Sequence, residues 1–124
     1  RRGACGLSSN KVAHLRVAAQ AVIDGTIQDQ RLEAASSEDA IATLCELRGI
    51  GRWSASVVML RGFGRLDTFP GGDSGVARAL RELSGDPRID EQAVLEGLGP
   101  VRGMLYFHLL LGRLCNLVPA RTDW

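Results

Sequence analysis

The sequence is short of lysine, of aromatic residues and of cysteines that could pair. Lys11 is its single lysine, and the other basic residues among the fifteen are arginines. Formal net charge is only +1, so no strong basic field marks the chain for nucleic acid. Arginine suits planar ion pairs and phosphate contacts, although the base composition of a source genome produces the same bias. Cys5, Cys45 and Cys115 are odd in number and none stands at metal-ligand spacing from another. That argues against a disulfide framework and against a zinc or iron–sulfur site, and each reads as a small buried hydrophobe. The most apolar run, Val101 to Leu117, is broken by Arg102, His108 and Arg113, so it reads as a buried helix and not a membrane span. No signal-peptide pattern opens the chain, and a soluble intracellular protein is expected.

What is present is a helical composition. The 124 residues are 45% hydrophobic, enough for one compact domain over 1–124, and the apolar mass is Leu, Ala and Val with few β-branched runs. The periodicity predicts an all-α fold, about six helices in an orthogonal bundle with short turns. In SSNKVAHLRVAAQAVIDG, Ser9 or Asn10 caps a helix, Val12, Leu15, Ala19 and Val22 share one face, and Gly25 closes it. In SSEDAIATLCELRG, Ser36 and Asp39 resemble a capping box ahead of an Ile41, Leu44 and Cys45 face. RWSASVVMLRG starts a third helix whose small first turn, Ser54, Ala55 and Ser56, permits close packing. A Gly/Pro-rich connection follows, then a helix from about Asp73 to Leu83, a short one after an Asp90 cap, and a last one starting at Gly99-Pro100.

The segment LRGIGRWSA poses the chemical question, because Gly49 and Gly51 flank one isoleucine between two helices. A tight turn that opens at once into a helix presents first-turn amides without internal partners, and the helix dipole favours an anion there. Glycine keeps a Cβ out of the way of a phosphate and tolerates positive φ. Ile50 is then expected to point back and lock the hairpin. An ordinary helix ending followed by a new helix has the same glycines.

The longer stretch LRGIGRWSASVVMLRGFGRLDTFPGGDSGVARAL resembles the helix–hairpin–helix, Gly/Pro loop and aspartate signature of the DNA base-excision glycosylase superfamily. Within it the chain is most similar to the 3-methyladenine DNA glycosylase II family, whose members carry G-I-G-R-W-T-A, then L-R and F-P-x-x-D. The flanking GLSSNKVAHLRVAAQAVIDG and LGPVRGMLYFHLLLGRL resemble that family's neighbouring helices. The resemblance implies a hairpin motif over 36–61, a Gly/Pro-Asp loop over 62–73 and C-terminal helices over 73–118. Together these form the C-terminal part of a glycosylase catalytic domain.

On that resemblance Asp73 is the catalytic carboxylate. Cleaving an N-glycosidic bond develops positive charge on the sugar, and an ionised carboxylate near C1′ stabilises it or activates water. From spacing alone, Asp73 equally caps the following helix. Trp53 stands where the lyase branches carry a lysine that forms a Schiff base. Tryptophan lacks that chemistry, so base release without strand scission is implied. Its ring would line the base pocket and attract a cationic alkylated purine, unless it is plain hairpin core. Gly49, Ile50, Gly51, Arg52 and Ser54 are the implied DNA-phosphate contacts, with Arg61 beside them; surface ion pairing is the alternative for the arginines. Arg102 and Tyr106 match a W-R-x-Y-like pattern with Val101 in place of tryptophan and are read as structural, as are His14 and His108. No cofactor and no side-chain metal site are expected. The resemblance also implies a monovalent cation held by hairpin carbonyls near Ile50.

Two departures bear on this. Val57 replaces an aromatic residue of some relatives, and the family's domain begins well before Arg1. A missing N-terminal half of the same domain is thus an expected partner, along with duplex DNA carrying an alkylated base. Apolar surface should then be exposed on the first and last helices. The complete protein is expected to be a monomer, cytoplasmic and nucleoid-associated in a bacterium or nuclear in a eukaryote. The alternative function is a non-catalytic helix–hairpin–helix module that binds duplex DNA without sequence preference.

Overall fold

The computed structural model describes residues 6–117, with side chains as far as Gly112. The expectations for Cys5, for the Arg113 and Cys115 side chains and for residue 118 lie outside the described residues. Within them the fold is all-α, with seven α-helices and no strand. No helix among the described residues is long and apolar enough to cross a membrane.

Helix α1 spans Ser9–Ile23. Its cap is Ser8, one residue earlier than expected, whose Oγ accepts the amide of Lys11 at 3.3 Å. Only Ala21 of this helix is buried. Leu15 and Val22 are 58% and 59% exposed, in line with the expectation that the first helix leaves apolar surface uncovered. Helix α2, Asp29–Ala34, was not anticipated: at six residues it is too short for a periodic pattern. It exists because Leu32 is buried and because Arg65, from a distant loop, satisfies its free carbonyls. The Nη2 of Arg65 donates to the carbonyls of Leu32, Glu33 and Ala35 at 3.3, 2.5 and 3.0 Å.

Helix α3, Ser37–Cys45, is capped as expected by Ser36, whose Oγ accepts the Asp39 amide at 3.1 Å. Helix α4, Arg52–Val57, follows a six-residue turn and runs on into a wider π-helical turn, Val58–Gly62. Ala55 is fully buried and Ser56 nearly so, which is what the small first turn implied. Ala40, Ile41, Leu44, Ala55 and Met59 form the centre of the first core, joined by Ala21, Ile27 and Leu32.

A loop over 63–73 leads to α5, Ser74–Ser84, and then α6, Glu91–Leu98, is capped by Asp90 through the amides of Gln92 and Ala93. Gly99-Pro100 does not open the last helix. It forms a 3-10 turn, Gly99–Val101, and α7 begins at Gly103 and runs to Leu117. The offset has a packing cause. The Gly103 amide donates to Leu66 O at 2.7 Å, and a Cβ there would lie 2.6 Å from Thr68 O. Helix α7 thus starts flush against the loop. The second core, Leu60, Val76, Leu80, Tyr106 and Leu109, closes α5 and α7 over it, and Phe69 meets Tyr106 edge to face at 6.2 Å. Both faces of the loop 63–73 are therefore held, one by Arg65 and the other by Gly103.

Candidate active site

The hairpin turn joins α3 to α4 through two different glycines. Gly49 has φ +89, and a Cβ there would overlap the imidazole of His14, 2.5 Å from its Cδ2 and Nδ1. Positive φ and the close approach of α1 both require this glycine. Gly51 caps α4 with φ −91, a value any residue adopts, and its Cβ would meet nothing within 4 Å. Nothing among the described residues calls for it; the space beside it is open. Ile50 packs against the first core, and its amide donates to Leu47 O at 3.1 Å, so it locks the turn as expected.

Of the expected phosphate contacts on α4, Arg52 is committed elsewhere. Its Nη2 makes a two-oxygen contact with Glu38, at 2.5 and 2.8 Å, between side chains that are 67% and 71% exposed. This bond, reinforced by the carboxylate charge, raises the Arg52 guanidinium above its ordinary pKa. Ser54 is half-buried, and Arg61 is exposed.

Trp53 is 44% exposed and lines a cleft of about 780 Å³ between the starts of α3, α4 and α6 and the loop 67–72. Gly71 and Gly72 form its rim on the loop side, and Gly72 takes φ +79 to make the bend. Ionisable side chains at the cleft are Glu38, Asp67 and Glu91 against Arg52 and Arg102. Asp67 accepts a 2.7 Å hydrogen bond from Ser37 Oγ.

Asp73 does not line this cleft. Its carboxylate caps α5, accepting the Gly75 amide at 2.7 Å, and it borders a separate hollow of about 100 Å³ with Val76, Tyr106 and Leu109. The structure therefore brings Trp53 and Arg52 into one cleft and sets Asp73 just past its glycine rim. The cap anticipated as an alternative is formed. Tyr106 is buried in the second core, and Arg102 donates through Nε to Gly99 O at 2.8 Å, a structural use of both. His108 is exposed and His14 half-buried.

Sequence reasoning missed Glu38, Asp67 and Glu91 as cleft residues, and Arg65 as the brace of the loop. Glu38 and Glu91 stand in first helical turns, where acidic residues read as dipole partners, Asp67 lies in a loop, and nothing local marks an arginine whose acceptors lie about thirty residues away.

Comparisons with known proteins find curated relatives over part of the chain. The chain is 33% identical over 87 residues to DNA-3-methyladenine glycosylase 1 of Schizosaccharomyces pombe, covering 69% of this chain and 38% of that protein. This chain is a relative of the DNA-3-methyladenine glycosylases. It is 29% identical over 91 residues to the alkylbase DNA glycosidase-like protein mag2 of the same yeast, 70% of this chain and 43% of that one. It is 30% identical over 96 residues to the DNA-3-methyladenine glycosylase of Saccharomyces cerevisiae, 74% of this chain and 32% of that one. The chain thus spans less than half the length of these glycosylase relatives. No protein-family profile and no solved structure matches it.

Proposed function

We propose that this chain is the hairpin-and-carboxylate part of a monofunctional DNA glycosylase that hydrolyses the N-glycosidic bond of alkylated purines such as 3-methyladenine in duplex DNA. One observation carries the reading: Gly71 and Gly72 rim the cleft that Trp53 lines, and Asp73 follows them at once. A base turned out of the stack into the cleft would leave its sugar over the glycines, where the absence of side chains permits close approach.

The chemistry follows from that placement. The bond between C1′ and the purine nitrogen breaks, the electron pair leaves with the base, and the sugar gains positive charge. The Asp73 carboxylate stabilises that charge, and water adds to C1′ while its proton passes to the carboxylate or to solvent. With tryptophan at position 53 there is no amine at this place to form a Schiff base, so the strand stays uncut. The open space at Gly51 and the unpaired first-turn amides of α4 suit a phosphate of the duplex.

The carbonyls of Arg48, Gly49 and Ile50 accept no hydrogen bond among the described residues, so hard oxygen donors fit a monovalent cation at the turn. When bound, such an ion would add positive charge beside the phosphate. A further helical half of the domain would cover the exposed Leu15, Val22 and Ile23 of α1 and the exposed Met104 and Leu111 of α7. The complete protein would act as a monomer, with the bacterial nucleoid or the eukaryotic nucleus as its place.

A second reading, a non-catalytic module gripping duplex DNA, draws on the cap at Gly75 that already occupies Asp73 Oδ1. Incubating methylated duplex DNA with the full-length protein separates the two. Free 3-methyladenine with intact strands supports the glycosylase. Binding without released base supports the module, and base release with strand cleavage contradicts the monofunctional assignment.

A further inference from the structure

We propose that Ser37 and Asp67 are positioning residues. Their hydrogen bond ties the loop 63–73 to the first hairpin helix, so that a duplex held at the hairpin meets Asp73 in a fixed place. The consequence for rate rests on the glycosylase reading, whereas the tie itself rests on the geometry of the loop.

The anchors of the loop divide it into a held part and a free part. The Arg65 amide donates to Met59 O, its guanidinium reaches the carbonyls at the end of α2, and Leu66 O accepts the Gly103 amide. The Thr68 amide donates to Arg65 O at 3.1 Å, Phe69 packs on Tyr106, and Pro70 is fully buried. Residues 65–70 are thus held. Gly71 and Gly72 are exposed, and a Cβ at Gly72 would meet nothing within 4 Å. Two such glycines form a pliant joint directly before Asp73. The carboxylate is therefore placed by what is fixed on either side of that joint, the Gly75 cap after it and the anchors before it.

One anchor has a different destination from the rest. The Arg65 guanidinium reaches α2, and Gly103 and Tyr106 belong to α7. The 2.7 Å bond from Ser37 Oγ to Asp67 Oδ1 joins residues 30 apart in sequence. Among the described residues it is the one side-chain hydrogen bond between the loop and the two hairpin helices. Ser37 stands in the first turn of α3 and is only 8% exposed, so its hydroxyl is held inward at the junction. A carboxylate acceptor makes such a bond stronger than a neutral one would.

Thr68 supports this independently. Its Oγ1 is buried without a hydrogen-bond partner, the one such side-chain atom among the described residues. An unpaired buried hydroxyl is unfavourable, so the loop keeps this course because its anchors impose it. Imposed geometry matters for the proposed chemistry, since a misplacement of about 1 Å can slow a reaction on the order of 100-fold. Asp67 also brings negative charge to the start of α3, where it favours the helix dipole in any case. A loss of stability alone therefore does not identify the tie.

The test compares the full-length parent with Ser37→Ala, Asp67→Ala, the double variant and Asp67→Asn, at equal concentrations of folded protein. Ser37→Ala and Asp67→Ala should each slow single-turnover release of 3-methyladenine from methylated duplex about tenfold, with duplex affinity unchanged. The double variant should be no slower than Asp67→Ala, because both changes remove one bond. Asp67→Asn keeps an acceptor for Ser37 Oγ and should recover most of the rate. Amide hydrogen exchange gives a readout that needs no activity. The Thr68 amide should exchange about tenfold faster in Ser37→Ala, while the Ile50 amide of the hairpin turn exchanges as in the parent. Should Asp67→Ala fail to fold, Ser37→Ala alone carries the expectations for rate, affinity and exchange. Rate and affinity falling together, losses that multiply in the double variant, an Asn variant as slow as the Ala variant, or unchanged Thr68 exchange overturns the proposal. If Thr68 exchange rises as expected but the parent releases no base, the tie stands and the glycosylase reading falls.

Discussion

The imidazole of His14 fills the space that a side chain at position 49 would need, so α1 and the hairpin turn are fitted to each other at one point. Sequence alone shows a glycine pair with a common purpose, whereas the structure separates them. Gly49 serves the fold, and Gly51 leaves open the surface on which a DNA backbone would rest.

Gly49→Ala is expected to destabilise the protein by about 2–4 kcal/mol, combining the left-handed backbone penalty with overpacking against the ring. Placing the same substitution in a His14→Ala background removes the overlap and leaves roughly 1–2 kcal/mol for the backbone alone. Urea unfolding of the four proteins measures the coupling, which should exceed about 0.5 kcal/mol. Additive effects would show that the ring and the turn do not meet.

Arg65 is the hidden brace of the loop 63–73. Replacing it with Met removes a charged donor from three carbonyls and is expected to cost about 2 kcal/mol. Lysine restores the charge but not the fork and should recover only part. Thermal unfolding gives the ranking Arg, Lys, Met. A Met variant as stable as the parent would mean the carbonyls at the end of α2 are satisfied equally well by water.

On the proposed function, Glu38 would compete with DNA for Arg52. Because both side chains are largely exposed, Glu38→Gln should change stability by less than about 1 kcal/mol. It frees the guanidinium for phosphate, so affinity for undamaged duplex should rise and the salt slope of binding steepen by about one unit. Fluorescence anisotropy across a salt series reads both quantities. An unchanged slope would leave Arg52 with a purely structural role.

How much of this was legible beforehand varied with the range of the interactions. Helices α3, α5 and α6 announced themselves because Ser36, Asp73 and Asp90 are local caps followed by periodic apolar residues. The start of α7 was misplaced because its cause, the seating of Gly103 on Leu66 and Thr68, joins residues far apart in sequence. Helix α2 was invisible for the same reason, since its stabilising donor is Arg65. The apolar face of α1 was legible from its periodicity, and its exposure agrees with the expectation of uncovered apolar surface on the first helix. At the candidate site, Gly49, Ile50, Trp53 and Asp73 were singled out by the glycine turn and by the family resemblance. Their division between two cavities, and the carboxylates opposite Trp53, depend on how α6 and the loop approach one another.

Asp73→Asn is the most direct test of the central claim, because an asparagine oxygen can still accept the Gly75 amide while the negative charge is lost. Asparagine caps about as well as aspartate, so folding stability should stay within about 0.5 kcal/mol of the parent. Release of 3-methyladenine from methylated duplex by the full-length variant should fall about 100-fold or more. Release at the parental rate by a folded Asp73→Asn protein would contradict the account and leave Asp73 as a helix cap.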